Sequence, residues 1–315
     1  MNMKKWIGQN AWVWSILGSF VLWIVISMMT NGFSLKMLMT NATLASFLML
    51  LTLGQMTVIT SGNGAIDLSI QYTTALSAYL SSSLVSRLGL FAGLGLTLLI
   101  CVLVGVANGV VNMYLRVPAM ITTLAVGYIV YSSVLKISSM TTGMPAEQIA
   151  FFTQRFKFGS FSPLILVSLA FAGLTGLLLY KTRFGKQLHA VGQNRNAANL
   201  AGIHVVKVVM GAFIISSVLA GIAGTLLGGY FGGASQDMGL SYLMSSVAAA
   251  VIGGTVASGG KSSVAGAVLG SLFLTLITAF LNLTRLPMSF QNIIQGSLLM
   301  LILIASMPKS KRRTV

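Results

Sequence analysis

Long apolar runs alternate with short polar intervals along almost the whole chain. Most of these runs have about 18 to 25 residues, enough to cross roughly 30 Å of hydrocarbon at about 1.5 Å per residue. Because lipid offers no partner to free backbone groups, the pattern predicts an all-α, polytopic membrane helix bundle with about ten transmembrane segments. The predicted segments are residues 11–29, 42–60, 64–85, 88–115, 117–137, 161–180, 208–231, 243–257, 262–281 and 288–306.

Two of the predicted segments, 64–85 and 243–257, are short or rich in serine, threonine and glycine. We expect them to be broken or re-entrant, which is tolerated where protein or a water-filled cavity covers the backbone. Eight crossings are then the alternative to ten. Similar turns, SGNG at 61–64 and SGGK at 258–261, are a faint sign of duplicated halves, and the sequence leaves that duplication open.

The composition indicates a single transmembrane domain over residues 1–315. Only 7% of the residues are charged and the mean hydropathy is +0.90, whereas soluble domains carry about 25% charged residues. The net charge of +16 at pH 7 would suit nucleic acid. Because the basic residues lie at the ends of apolar runs, we interpret them as topology anchors in contact with membrane lipid, and we expect no nucleic-acid partner.

The distribution of basic residues predicts the orientation. With ten crossings, the outside receives only six of the 19 lysines and arginines, and the remaining 13 lie in the cytoplasm. We therefore expect a multi-pass membrane protein with both termini cytoplasmic. The six outer basic residues are Lys36, Arg87, Lys136, Arg155, Lys157 and Arg285.

The most polar interval, residues 181–207, is called the basic loop below. It carries five basic residues and no acid and is predicted to be cytoplasmic. We expect two short helices, the second capped by Asn194 or Asn196 and ended by Gly202. A solvated connector needs no apolar face, so the apolar residues of this second helix predict docking to a cytoplasmic partner. They are Ala197, Ala198, Leu200, Ala201 and Ile203.

The outer polar interval, 138–160, holds Glu147. A plain connector and a contact with a soluble extracytoplasmic partner are both compatible with its sequence.

Groups that could carry chemistry are scarce. The chain has three acids, two histidines and one cysteine, and none of them is arranged as a catalytic or metal-binding motif. The stretch TVASGGKSS at 255–263 lacks the first glycine of a phosphate-binding loop and has no preceding strand. We therefore expect no enzyme activity, no metal and no cofactor in this chain, and no binding of ATP by the chain alone.

Buried amides and one acid are candidates for a translocation pathway. In SGNGAIDLSIQ at 61–71, the glycines are expected to break a helix, Asn63 to cap the helix that restarts, and Asp67 to lie in its first turn. A carboxylate within the bilayer must be paired or face water, so it serves either as a structural cap and partner or as a contact for a polar solute. The candidate pathway residues are Gln55, Asn63, Asp67, Gln71, Asn108 and Asn112.

Three stretches resemble the permease subunit of bacterial ATP-binding-cassette (ABC) importers of the ribose/xylose/galactose type. TSGNGAIDLSI at 60–70 resembles the family's SGGIDLSVG element, and GKQLHAVGQNRNAANLAGI at 185–203 resembles its cytoplasmic loop. VAAAVIGGTVASGGKSSVAGAVLG at 247–270 is similar to a third, glycine-rich element. YFGGASQDMGLSYLM, which begins at residue 230, resembles the autoinducer-2 and rhamnose importers.

The resemblance implies alternating access driven by two ABC ATPase subunits that hold ATP and Mg, with solute delivered by a periplasmic sugar-binding protein. It also implies a second permease, identical or related, and leaves that choice open. A secondary transporter driven by an ion gradient and a structural membrane subunit are the alternatives. The residues that match the family's ATPase-coupling loop are Gly192, Gln193, Asn194, Ala197, Ala198, Asn199, Leu200, Ala201 and Gly202.

Overall fold

The computed structural model of the chain describes residues 12–30, 32, 35–157, 159–284 and 286–305, and in these ranges it is a helical bundle. A π-helical turn, Phe151–Arg155, follows the sixth α-helix. The α-helices are α1 Trp12–Met29, α2 Leu35–Thr60, α3 Ile70–Leu88, α4 Leu90–Tyr114, α5 Ala119–Ser138, α6 Glu147–Ala150, α7 Pro163–Lys181, α8 Arg183–Gln193, α9 Arg195–Leu200, α10 Val205–Phe231, α11 Leu240–Ile252, α12 Val264–Leu283 and α13 Met288–Ala305.

Six of the described helices, α2, α4, α5, α7, α10 and α12, are long and apolar enough to cross a membrane. This confirms a polytopic helical membrane protein. It does not establish the predicted count of about ten segments, which stays a prediction. The 13 residues of α11 extend only about 20 Å, less than the roughly 30 Å of the hydrocarbon core.

The centre of the bundle is α2, which is 89% buried over its most apolar 18 residues. Small residues allow other helices to pack closely there. A Cβ atom added to Gly54 of α2 would lie 3.0 Å from Cα of Ser216 in α10, and one added to Gly105 of α4 would lie 2.6 Å from Cα of Ile214. Such approach of helix backbones is typical of membrane bundles, where packing rather than apolar burial holds helices together.

The chain leaves its helical path after α2, as the glycines of SGNG predicted. Gly62, Asn63 and Gly64 have φ values of 81°, 56° and 64°, all in the left-handed region. The position of the restart was predicted wrongly, because the helix begins at Ile70 with Ser69 as its N-cap residue. Asn63 therefore does not cap α3, and Asp67 lies before the helix rather than in its first turn.

The second predicted interruption is also present. Helix α11 ends at Ile252, and the chain then turns through Gly254, Gly259 and Gly260, which have φ values of 96°, 98° and 75°. The predicted segment 243–257 is thus a short helix followed by irregular backbone. The outer interval 138–160 contacts the bundle, since the side-chain amide of Gln154 donates to the carbonyl of Gly229 in α10 at 2.6 Å.

Long-range contacts define two ends of the bundle. At one end the basic loop packs against the turn after α2, and Arg116 and Arg195 line one cavity. At the other end Lys36 and Lys157 line another cavity. Arg116 and Arg195, predicted to be cytoplasmic, thus lie at a different end from Lys36 and Lys157, predicted to be outer, and the orientation in the membrane stays a prediction. The termini, residues 1–11 and 306–315, lie outside the described residues.

Candidate functional site

The basic loop folds as the two short helices that the sequence predicted, α8 and α9. The side chain of Asn194 caps α9, because its Oδ1 atom accepts from the backbone N–H of Ala197 at 3.0 Å. Helix α9 ends at Leu200, and Gly202 follows with a left-handed φ of 80°. Between the two cap choices, Asn194 is therefore the one used, and Asn196 lies inside the helix.

The apolar residues of α9 face two directions. Ala198 is 4% exposed, and Ile203, just after the helix, packs against the main hydrophobic core of the bundle. Leu200 is 90% exposed, and Asn199 and Ala201 are also exposed. The predicted single docking face is thus divided, because a helix of six residues presents opposite sides within two turns. One side anchors the loop, and the tip at Leu200 is free to contact a partner.

Four glycines join the basic loop to both interrupted segments, and we call Gly62, Gly192, Gly259 and Gly260 the glycine junction. A Cβ atom on Gly62 would lie 2.7 Å from the carbonyl oxygen of Gly192, and one on Gly259 would collide with Cα of Gly62. The backbone N–H of Gly260 donates to the carbonyl of Thr60 at 3.0 Å. The similar turns SGNG and SGGK therefore meet at one point of α8.

Side chains add a second connection between α8 and the turn before α12. Nε2 of His189 lies 3.0 Å from Oγ of Ser262, and its Nδ1 lies 2.7 Å from the carbonyl oxygen of Gly185. The hydroxyl of Tyr180, in the last turn of α7, donates to the carbonyl of Ser262 at 3.3 Å and accepts from the N–H of Val264 at 3.1 Å. Helix α8 and the end of α7 are therefore both hydrogen-bonded to the chain at the start of α12.

Asp67 is fully buried and lies in a closed hydrogen-bond network. Its Oδ1 atom accepts from the N–H of Ser69 at 3.0 Å and from the hydroxyl of Ser69 at 2.6 Å. Its Oδ2 atom accepts from the hydroxyl of Ser216 in α10 at 2.7 Å. The Nδ2 amide of Asn108 donates to Oγ of Ser69 at 2.8 Å. The carboxylate thus connects the irregular segment before α3 to α10 and, through Ser69, to α4.

Gln55 completes this network from α2. Oriented to satisfy both of its polar atoms, its amide donates to the carbonyl of Asp67 at 3.2 Å and accepts from the N–H of Asp67 at 3.1 Å. Gln55, Asp67 and Asn108 are all 0% exposed. The arrangement matches the structural alternative for Asp67, with partners that were not predicted.

The six predicted pathway residues lie in three separate places. Gln55, Asp67 and Asn108 form the buried network, whereas Asn63 and Asn112 line a cavity at the end that carries the basic loop. Gln71 is 7% exposed and lines a small cavity of about 150 Å³ with Tyr72, Tyr131, Gln236, Asp237 and Leu240. Asp67 and Gln71 do not pair across a helical turn, because Asp67 precedes α3.

We expect Asp67→Ala to destabilise the protein by about 3 kcal/mol. The substitution leaves the buried hydroxyls of Ser69 and Ser216 and the N–H of Ser69 without their shared acceptor, and each orphaned group costs about 1–3 kcal/mol before relaxation. Thermal unfolding in detergent measures the loss. Asp237→Ala, which removes an exposed carboxylate, is the control and should leave the melting temperature unchanged. A stable Asp67→Ala protein with altered solute affinity would instead favour direct solute contact.

A cavity of about 570 Å³ whose lining includes several hydroxyl and amide groups was not predicted from the sequence. It lies between α2, α11, α12 and α13, and none of the described residues that line it is charged. The sequence nevertheless contained a signal for this cavity. Ser241 and Ser245 are four residues apart, and Thr275, Thr278 and Asn282 follow one another at intervals of three and four residues, so each set shares one face of its helix. We call it the polar cavity, and its hydroxyl and amide lining is Thr30, Asn41, Ser241, Tyr242, Ser245, Thr275, Thr278, Asn282 and Gln295.

Titratable side chains do not cluster into a reactive centre among the residues described. No group of three or more histidine, cysteine or acidic side chains in those ranges is placed to hold a metal ion.

Comparison with known proteins gives a consistent picture over most of the chain. Residues 37–303 match the family described as branched-chain amino acid transport system, permease component. The autoinducer 2 import system permease protein LsrC of Yersinia pestis (strain Pestoides F) is 30% identical over 310 residues, 96% of this chain and 86% of that protein. LsrC of Escherichia coli O9:H4 (strain HS) is 28% identical over 312 residues, 96% of this chain and 88% of that protein. No solved structure matches the chain.

Proposed function

Because this chain belongs to the family of branched-chain amino acid transport system permease components, we propose that it is the transmembrane permease subunit of an ATP-driven ABC importer. The proposed complex contains two permeases, two cytoplasmic ATPases that hold ATP and Mg, and a periplasmic solute-binding protein. The observation that carries the proposal is the glycine junction, which ties the basic loop to both interrupted segments while Leu200 stays exposed.

The proposed mechanism is alternating access. Closure of the ATPase dimer moves α8 and α9, and the glycine junction passes this motion to the end of α2 and to the turn at 253–263. Backbone packed on backbone leaves no flexible side chain to absorb a displacement, which supports transmission of ångström-scale motion. The displaced segments lead into α3 and α12. One movement of the basic loop therefore changes both the outer and the inner opening of the pathway.

The proposed orientation places the basic loop and both termini in the cytoplasm of a bacterium, with the chain in the inner membrane. Arg116, Arg195 and Lys261 lie near the basic loop, whereas Lys36 and Lys157 lie at the opposite end. An excess of basic residues at one end supports cytoplasmic placement of that end. Helices α4 and α5 are only 28% and 33% buried, which suits contact with lipid.

The proposed cargo is a small uncharged polar solute, most simply a monosaccharide or a related carbohydrate. The polar cavity offers hydroxyl and amide groups without charge, the chemistry that hydrogen-bonds a hydroxylated solute. It lies at the end away from the basic loop, where a periplasmic binding protein would deliver solute. The similar permeases from Yersinia and Escherichia are components of autoinducer 2 import systems, which supports a small polar cargo here.

An ion-gradient-driven transporter is the weaker alternative. It would require an ionisable or ion-coordinating group open to the pathway. Asp67 was the predicted candidate, but both of its carboxylate oxygens are occupied by serine donors inside the closed network. A structural subunit without a transport role would not need a loop tip with an exposed leucine.

The test is uptake into proteoliposomes that contain the purified complex with its ATPases and binding protein. We expect uptake to require ATP on the side of the membrane that carries the ATPase subunits. Uptake should persist when ionophores collapse the ion gradients. A catalytically inactive ATPase subunit is the matched control and should reduce uptake to background. Uptake that continues without ATP but stops with ionophores would contradict the proposal.

A further inference from the structure

A cavity of about 480 Å³ lies beside the basic loop and has the character of an anion site. We call it the arginine cavity, because guanidinium groups from two distant parts of the chain line it and no carboxylate does. Arg116 comes from the turn between α4 and α5, and Arg195 is the first residue of α9. The remaining lining residues are Asn63, Asn112, Met113, Val117, Pro118 and Ala119.

The backbone around the arginine cavity is held in an uncommon conformation. Among the described residues, the non-glycine residues with positive φ are Asn63 at 56° and Arg116 at 55°, and both line this cavity. Such residues cost about 1–3 kcal/mol each and persist only where the surroundings fix them. The 92% buried Asn112 contributes to this, because its Nδ2 donates to the carbonyl of Val117 at 2.8 Å.

One side-chain donor at the arginine cavity lacks an acceptor. Nε of Arg195 has no hydrogen-bond partner, and partial burial lowers the pKa of this guanidinium because desolvation disfavours its charged form. An anion beside it would offset that cost. Helix α5 begins at Ala119 without a side-chain cap, so the first N–H groups of a 20-residue helix also favour negative charge.

An apolar surface adjoins the arginine cavity. Tyr114 and Leu115 at the end of α4 are 66% and 67% exposed, and Ile121 in the first turn of α5 is 59% exposed. Since α4 and α5 are mostly unburied, this surface is open to lipid tails. An acidic side chain of a partner protein or a free phosphate ion would make no use of it, whereas a phospholipid places a phosphate and acyl chains side by side.

We propose that the arginine cavity binds the headgroup phosphate of an anionic phospholipid, whose acyl chains lie on the exposed α4–α5 surface. Basic pockets between transmembrane helices bind anionic headgroups in this way. The bound lipid bridges Arg116 in the α4–α5 turn to Arg195 in the basic loop. It therefore steadies the loop beside the glycine junction, since Asn63 of the cavity directly follows Gly62, and bilayer composition becomes an input to coupling.

The test is native mass spectrometry of the purified chain after exposure to equal amounts of phosphatidylglycerol and phosphatidylcholine with identical acyl chains. The wild-type chain is expected to retain phosphatidylglycerol preferentially. Arg116→Gly removes the charge and also relieves the left-handed strain, so it should fold normally and lose about fivefold in phosphatidylglycerol retention. Arg195→Gln should lose a similar factor. Arg87→Gln, at the end of α3, is the matched control and should bind as wild type.

Four outcomes would overturn the proposal. Equal retention of the two lipids, or an equal loss in Arg87→Gln, would mean that the cavity is not a specific headgroup site. Displacement of phosphatidylglycerol by excess inorganic phosphate would identify a general anion site without lipid specificity. Unchanged lipid retention in Arg116→Gly, together with loss of ATPase copurification, would identify an acidic group of the ATPase as the occupant. A melting curve for each variant separates these results from misfolding.

Discussion

Replacing Asn199 and Leu200 together with glutamate is expected to abolish solute-stimulated ATP hydrolysis by the assembled transporter. Leu200 is 90% exposed at the tip of α9, so in the proposed complex it is the apolar anchor available to an ATPase groove. Burial of one leucine contributes about 1.5–3 kcal/mol, and two unpaired carboxylates in the same interface would add a desolvation penalty. The measurement is ATPase activity of reconstituted complexes, with copurification of the ATPase as a second readout.

The fold of the double variant should be intact, because both side chains are exposed and neither contributes to the core. Asn199→Gln with Leu200→Met is the matched control. It keeps an amide and an exposed apolar side chain at the same two positions, so solute stimulation should be retained. Full solute stimulation in the double glutamate variant would exclude this loop tip as the ATPase contact.

The basic loop could be predicted from the sequence because its signals are local. An asparagine at the N-cap and a glycine after the C-terminus define a short helix through contacts within a few residues. The structure confirms both, with Asn194 as the cap and Gly202 in the left-handed region. Local signals did not predict that the α9 face is divided. The sequence shows that Ala198 is apolar, but it does not show that Ala198 is buried against the bundle.

The start of α3 could not be predicted, because it depends on a distant partner. Glycines 62 and 64 indicated the break, and local rules then favoured an immediate restart. Asp67 instead accepts from Ser216, which is 149 positions away, and this bond holds the segment irregular until Ser69. A tertiary contact of that kind leaves no periodic trace in the sequence.

The candidate pathway residues illustrate a related limit. Polarity predicted correctly that the amides of Gln55 and Asn108 would need partners inside the bundle. It did not show whether those partners were protein groups or solute, and in the structure they are Asp67 and Ser69. The polar cavity was overlooked for the opposite reason, because single hydroxyls such as Thr278 are common in membrane helices and become informative only when several helices converge.

The glycine junction leads to the second prediction of large effect: Gly192→Ala should reduce solute-stimulated ATP hydrolysis and uptake by about tenfold or more. The added Cβ atom would collide with the carbonyl oxygen of Thr60 and the N–H nitrogen of Gly260, two backbone atoms that cannot move aside by a rotamer change. Overpacking of this kind costs about 1–3 kcal/mol, and each 1.4 kcal/mol corresponds to a factor of about ten in the population of the coupled arrangement. Transport and ATPase assays on the same proteoliposomes measure both losses.

Gly95→Ala provides the matched control, because Gly95 lies within α4 and an added Cβ atom there meets nothing within 4 Å. That substitution should leave coupling unchanged and stabilise the helix by about 0.5–1 kcal/mol. In Gly192→Ala the loop tip is unaltered, so the ATPase subunits should still copurify. Loss of uptake with retained assembly would place the defect in transmission between the loop and the two interrupted segments. Wild-type uptake by Gly192→Ala would show that the loop moves independently of the turn after α2.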